Sequence, residues 1–165
     1  MSNFTFLKQE WPSIYKKMKK AEERVNTEPV STANYCRLIM EECMHLMYDM
    51  EFIELPYNQE LVNLMTQADV RSIVPSNHLD GLHIVRKTGN NAAHYGNRVS
   101  PSDALVSIKY LYGFLKWFAG NYAEQEQALP GSFDMSFVPK IGSQKRQLKE
   151  LEKERAKEQE ELLAR

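Results

Sequence analysis

Apolar side chains recur every three or four residues along most of this chain, and this spacing points to a helical fold. The strongest stretch runs from Ala33 to Met50, and an aromatic-rich stretch ends near Tyr122. A period near 3.6 residues puts such side chains on one helix face. No segment alternates apolar and polar residues long enough to predict a sheet. We therefore predict an all-α bundle of about five main helices, followed by a charged C-terminal helix.

Proline, glycine and capping residues set the expected boundaries. Pro12 suits a first turn, so a short helix ending near Glu10 should precede a longer one reaching Asn26. Ser31 or Thr32 is expected to cap the next helix. The other predicted helices are Glu60–Met65, Asp69–Val74, a helix from about Asn77 to Lys87 or beyond, and Ala104–Tyr122, which follows a helix start at Ser100-Pro101. The segment Gly89-Asn90-Asn91 should limit the third of these, since Gly and Asn are poor helix formers. The predicted core includes Ile39, Leu46, Leu111, Leu115 and Phe118.

Composition divides the chain into three parts. Residues 1–123 are predicted to form the bundle, and residues 124–142, which contain Pro and Gly, a linker packed on it. Residues 143–165 are rich in Lys, Arg and Glu and read as the start of a spacer helix that continues in a longer protein. Leu148 and Leu151 fit a coiled-coil seam, but Arg155 and Glu158 fill its next positions. A weak coiled coil and a solvated single helix are therefore two alternative interpretations of this segment.

The net charge and the cysteine content indicate which partners and which cellular compartment to expect. The net charge of the 165 residues is -1, which sets up no global attraction to nucleic acid or membrane. Cys36 and Cys43 lie two helical turns apart, about 10 Å, too far for a disulfide. No signal-peptide pattern opens the chain, and no apolar run approaches a membrane span. We expect a cytoplasmic protein with buried thiols and no membrane contact.

Known chemical motifs are few. The sequence has no P-loop, no dinucleotide fingerprint and no zinc spacing. Glu42 and His45 form one Glu-x-x-His, whereas di-iron bundles need two copies, so no metal site is predicted. Lys16, Lys20 and Arg24 repeat every four residues and are candidate phosphate contacts. The alternative for this stripe is a solvated helix face, interrupted by Glu22 and Glu23.

The segment from Arg86 to Gly96 is the most informative. Asn90 and His94 are four residues apart and would share one face of a helix. Gly89 would let a neighbouring backbone come close. His94 could act as a general acid or base, or could simply bond to another helix.

This segment and three others carry a family resemblance. They follow in order as Phe4-x-Phe6-Leu7-x-x-Glu10-Trp11-Pro12, Ala21-Glu22, Tyr35-x-Arg37-x-x-x-Glu41 and Gly89-Asn90-x-Ala92-x-His94. From residue 1 to about 142 the chain resembles the N-terminal domain of type I restriction-modification R subunits and related DEAD-type helicases. The signature positions are Trp11, Arg37, Glu41, Gly89, Asn90 and His94.

The resemblance implies that this chain is one domain of a larger enzyme whose catalytic domains are separate. A parent R subunit carries a nuclease and an ATP-dependent DNA translocase, uses ATP and Mg, and joins methyltransferase and specificity subunits on DNA. The motifs of those catalytic units do not occur in this sequence. The resemblance therefore implies a non-catalytic assembly module that needs no cofactor of its own.

The chain is also similar to the wider HEPN group of helical bundles. Some of these are ribonucleases that use an Arg, four to six intervening residues and a His, and act as dimers. His94 matches the His, and Asn90 matches the polar residue that often follows the Arg in this group. Arg86, however, lies one residue too far from His94 to match the Arg. A ribonuclease or nucleic-acid-binding domain using Arg86, Asn90 and His94 is therefore an alternative. A homodimerisation module built on residues 143–165 is another.

Overall fold

The computed structural model describes residues 1–94 and 98–164, except for the side chains of residues 141–148. This part of the chain forms helices and no strand, which confirms the all-α prediction. The helices are α1 (Pro12–Glu23), α2 (Pro29–Met50), α3 (Leu61–Thr66), α4 (Ala68–Ile73), α5 (Ser76–His94), α6 (Pro101–Tyr122) and α7 (Ile141–Leu163). Two short 3-10 turns cover Thr5–Leu7 and Met135–Phe137.

Helices α2, α5 and α6 pack on one another and form the core of the bundle, and α1 packs on α2. Ile39, Leu111, Leu115 and Phe118 are buried as predicted, but Leu46 is only half-buried. The prediction for Leu46 was wrong because the inward face of α2 is narrower than its apolar arc. Cys43, Met44 and Met47 fill that face and leave Leu46 at its edge.

The start of the chain follows its predicted pattern. Pro12 stands in the first turn of α1, where its missing N–H costs no helical hydrogen bond. The Trp11 ring lies 5.2 Å from the ring of Phe118, between centroids, and so fixes α1 against α6. Helix α1 ends at Glu23, three residues before the predicted end at Asn26.

The start of α2 differs from the prediction. The helix begins at Pro29, and neither Ser31 nor Thr32 caps it. Proline is preorganised for a first helical turn, and it moves the start ahead of both hydroxyl residues. Thr32 is fully buried, and its hydroxyl donates to the Ala21 carbonyl oxygen over 2.8 Å. Thr32 thus ties α2 to the last turn of α1 instead of capping a helix.

Helix α6 begins as predicted at Ser100-Pro101. The Ser100 hydroxyl accepts from the Asp103 N–H over 3.1 Å, and the Asp103 carboxylate accepts from the Ser100 N–H over 3.2 Å. This reciprocal capping box satisfies two N–H groups at the helix start.

The segment that follows α6 lies along the bundle. Asn3 and Asp134 exchange two hydrogen bonds, of 2.7 and 2.9 Å, and the Tyr112 hydroxyl donates to the Gly131 carbonyl over 2.7 Å. Beyond it, every described side chain of α7 from residue 149 onward is exposed. None of the helices in the described residues is long and apolar enough to cross a bilayer.

Candidate functional site

Helices α2 and α5 come unusually close at Gly89. A Cβ at this position would lie 2.5 Å from Arg37 Cβ and 2.8 Å from Arg37 Cδ. Only a residue without a side chain fits there, as the sequence suggested. The contact also explains why α5 continues beyond Lys87, through Gly89, to His94. Packing against α2 outweighs the low helix propensity of Gly89 and the asparagines after it.

A cavity of about 500 Å³ lies beside this contact and is lined by residues of both helices. Arg37 and Glu41 reach it from α2, one turn apart, and Arg86, Asn90 and His94 reach it from α5. Their four-residue spacing explains why each set shares a face. The remaining lining comes from residues 59–62, where α3 begins. Five of the six signature positions therefore meet here, four in the lining and Gly89 at the contact beneath it, whereas Trp11 lies against Phe118.

The two arginines of the cavity are half-buried, and one nitrogen of each is enclosed by the protein. The Nε atoms of Arg37 and Arg86 are buried and have no hydrogen-bond partner in the described part of the chain. Glu41 and Glu60 line the same cavity, yet neither forms an ion pair with these arginines. A buried donor without an acceptor costs about 1–3 kcal/mol. Each of the two arginines therefore has one buried donor without an acceptor among the described residues.

Asn90 and His94 differ in exposure. Asn90 is half-buried, with an amide that can donate and accept. His94 is exposed at the end of α5 and lines the rim of the cavity. The Tyr95 and Gly96 that complete the predicted segment lie outside the described residues. A ligand in the cavity would therefore meet two guanidinium groups, two amides, one imidazole and two carboxylates.

The basic stripe of α1 lies outside this cavity. Lys16 and Lys20 are exposed, while Arg24 pairs with Glu28 across 3.5 Å. Glu22, expected to interrupt the stripe, is instead buried beneath it and accepts two hydrogen bonds from Asn3, of 2.9 and 3.1 Å. The stripe therefore presents two exposed lysines and one arginine that is already paired.

No group of three metal-ligating side chains occurs among residues 1–94 and 98–164. Glu42, considered with His45 as half of a di-iron motif, pairs with Lys17 across 3.3 Å. Its carboxylate therefore has a cationic partner on α1. The two cysteines are buried and not disulfide-bonded, as their spacing predicted.

Sequence reasoning missed two features. Gln59 and Glu60 line the α2–α5 cavity, but no motif singled them out because their position depends on how α3 packs. A larger groove of about 780 Å³ lies at the α1–α2 turn, with Pro29, Leu38 and Val99 in its lining. Leu38, which lies within the apolar stretch from Ala33 to Met50, is 52% exposed there.

Comparison with known protein families, with curated proteins and with solved structures gave no match to this chain.

Proposed function

We propose that this chain is a non-catalytic assembly module of a type I restriction enzyme R subunit. In this proposal the cavity between α2 and α5 receives an acidic side chain from a partner subunit. The observation that carries it is the pair of buried Nε atoms, on Arg37 and Arg86, that have no acceptor among the residues that the structure describes. The family resemblance, which includes these same residues, is the reason for proposing a type I restriction complex as the partner.

The charges of the cavity favour a protein ligand over a polyanion. Arg37 and Arg86 are balanced by Glu41 and Glu60 in the lining. A nucleic-acid backbone brings a phosphate at every step, and the two carboxylates would repel it. A single carboxylate on a protein can reach the guanidinium groups and accept paired hydrogen bonds from them. Basic or polar residues beside that carboxylate in the partner can form hydrogen bonds or ion pairs with Glu41 and Glu60.

The proposal leaves catalysis to other parts of the parent protein. Cleavage of DNA, with ATP and Mg, would belong to its nuclease and translocase. The partners of the module would be the methyltransferase and specificity subunits of the same complex. DNA would be engaged through the parent and not through this cavity.

The test is to titrate the chain with the methyltransferase–specificity complex of the same system by calorimetry. Arg86→Gln and Arg37→Gln should each weaken binding by about tenfold or more, because each removes a charged donor from a buried pair. Gln at position 37 keeps the carbon atoms that pack on Gly89, so the helix contact should survive. Arg71→Gln is the matched control, since Arg71 is exposed on α4 and does not line the cavity. Absence of binding by the unmodified chain, or an equal loss in the control, would refute the proposal.

One observation supports the ribonuclease alternative: Arg86, Asn90 and His94 line the same cavity from one face of α5. If this face cleaves RNA, a labelled single-stranded RNA should be cut by the unmodified chain and spared by His94→Ala. The same background with both proteins would exclude this activity. RNA binding that weakens in Arg86→Gln and falls steeply with salt would instead favour a nucleic-acid-binding role.

A further inference from the structure

Helix α7 carries leucines that nothing in the described part of the chain covers. Leu151 is 47% exposed and Leu162 is 69% exposed, and every described side chain between them is exposed as well. The helix is 23 residues long, yet it has no apolar face against the bundle among its described side chains. A helix of this length gains most of its stability in proteins from packing an apolar face.

Leu151 and Leu162 lie on one face of α7, together with two charged residues. Along the helix the order is Leu151, Arg155, Glu158, Leu162, with steps of four, three and four residues. This is the spacing of the core positions of a coiled coil. The two outer positions are apolar, and the two inner ones carry opposite charges. We call these four residues the α7 seam.

We propose that two copies of this chain associate through the α7 seam, with the two helices antiparallel. Reversing one helix places Leu151 opposite Leu162 of the second copy at both ends of the seam. It also places Arg155 opposite Glu158 of the second copy, twice. The seam is thus complementary to itself under a two-fold axis, which is the usual symmetry of a homodimer.

The same charges disfavour the parallel arrangement. Parallel helices would set Arg155 against Arg155 and Glu158 against Glu158 in neighbouring layers. Like charges at such positions cost energy and select against that orientation. The two charged residues that interrupt the leucines therefore specify the orientation of the pair.

The residues beside the seam keep the association weak. Glu154 and Glu161 flank it and approach each other across the antiparallel pair, so they repel. Both are exposed, and salt screens exposed charges more than those in a contact core. The seam covers only about three turns, or roughly 17 Å of helix. We therefore expect a dimer that dissociates on dilution and does not weaken at moderate salt.

Sedimentation velocity of the whole chain, at concentrations up to about 1 mM, tests the association, because an interface this small should be weak. The unmodified chain should shift from monomer to dimer. Arg155→Glu or Glu158→Arg alone should raise the dissociation constant about tenfold or more, since each sets like charges in contact. The double variant Arg155→Glu/Glu158→Arg should recover the dimer, because the opposed pairs are only exchanged. Lys153→Glu and Glu160→Arg, on the opposite face of α7, are controls of equal charge change and should dimerise normally.

Disulfide trapping tests the orientation. An antiparallel pair should link a Leu151→Cys chain to a Leu162→Cys chain when the two are mixed and oxidised, and neither chain should link to itself. The native thiols, Cys36 and Cys43, are buried and should not compete. A chain that stays monomeric at every concentration would overturn the proposal. So would self-linking of Leu151→Cys, or a double variant that fails to recover the dimer.

Discussion

Gly89 of α5 lies so close to Arg37 of α2 that a Cβ on the glycine would meet Arg37 Cβ at 2.5 Å. The atom it would meet is next to the backbone, so it cannot turn away like the end of a flexible side chain. A side chain at position 89 would therefore push the two helices apart beside the α2–α5 cavity.

Gly89→Ala should destabilise the fold in spite of its better helix propensity. The substitution gains about 1 kcal/mol of propensity, but overpacking of this kind costs about 1–3 kcal/mol, and here we expect the upper part of that range. The free energy of unfolding, from urea titration, should fall by about 1–2 kcal/mol.

Gly113→Ala is the matched control for this prediction. Gly113 lies within α6, and an added Cβ would be 3.7 Å from the nearest atom of His78, an ordinary contact. That substitution should stabilise the protein by about 0.5–1 kcal/mol, since only the propensity gain remains. Equal effects at the two glycines would show that the close approach to Arg37 does not limit the packing.

Phe52→Gly should stabilise the protein, because the native residue is strained. Phe52 follows the end of α2 with φ of 55°, a left-handed conformation that glycine adopts far more easily. Its N–H donates to the Asp49 carbonyl, and the N–H of Ile53 donates to the Tyr48 carbonyl. The side chain is 95% exposed, so removing it sacrifices no core packing. The expected gain is about 0.5–1 kcal/mol, measured by thermal unfolding.

Phe52→Ala provides the control, since it removes the ring but keeps a Cβ in the left-handed conformation. Its stability should stay within about 0.5 kcal/mol of the unmodified chain, as is usual for exposed positions. If Phe52→Ala stabilised the protein as much as Phe52→Gly, the destabilising effect of Phe52 would come from its exposed ring and not from its backbone conformation.

The class of fold could be predicted from the sequence because helical periodicity is a local property. Ile39, Leu111 and Phe118 stand on apolar stripes, and their burial follows from those stripes. The helix ends were harder where proximity in space overrides local preference. Gly89 and Asn90 should weaken a helix, yet packing on Arg37 carries α5 past both. Pro29 moves the start of α2 so far forward that Thr32 becomes a buried link to α1.

The site was predictable only in its separate halves. Asn90 and His94 share a face through their spacing, and Arg37 and Glu41 do the same on α2. Arg86 lies on the same face as Asn90 and His94 through the same spacing, but the meeting of this face with that of α2 depends on the angle and distance between the two helices. No pattern along the chain encodes either quantity. Glu60 lines the cavity for a similar reason, because the packing of α3 places it there.

Cys36 and Cys43 should be inert in the folded protein. Both are fully buried, and burial raises the pKa of Cys36 to about 12 and shifts the pKa of Cys43 in the same direction. Only the thiolate reacts rapidly with disulfide reagents. At pH 8 the two thiols should react with such a reagent at least about 100-fold more slowly than in guanidinium-unfolded chain. Fast reaction of either thiol without denaturant would contradict this prediction.

Glu22 should make the stability of the fold depend on pH in an unusual direction. Burial raises its pKa above the ordinary 4.5, although hydrogen bonds from Asn3 act against the shift. One carboxylate oxygen, Oε1, is buried without a hydrogen-bond partner. The folded chain therefore holds the Glu22 proton more tightly than the unfolded chain does. Between pH 4.5 and the raised pKa, this residue lowers the stability as pH rises, and above that window the loss is complete.

Comparison with Glu22→Gln isolates this effect from the other acidic groups of the chain. Glutamine removes the buried charge and keeps an oxygen that can accept from Asn3. The free energy of unfolding of the variant, minus that of the unmodified chain, should rise with pH through the window and stay constant above it. Glu152→Gln, on the exposed surface of α7, is the control and should give a flat difference. A difference for Glu22→Gln that is flat from pH 4 to 8 would mean that folding does not shift the pKa of Glu22, and one that falls as pH rises would mean that folding stabilises the carboxylate.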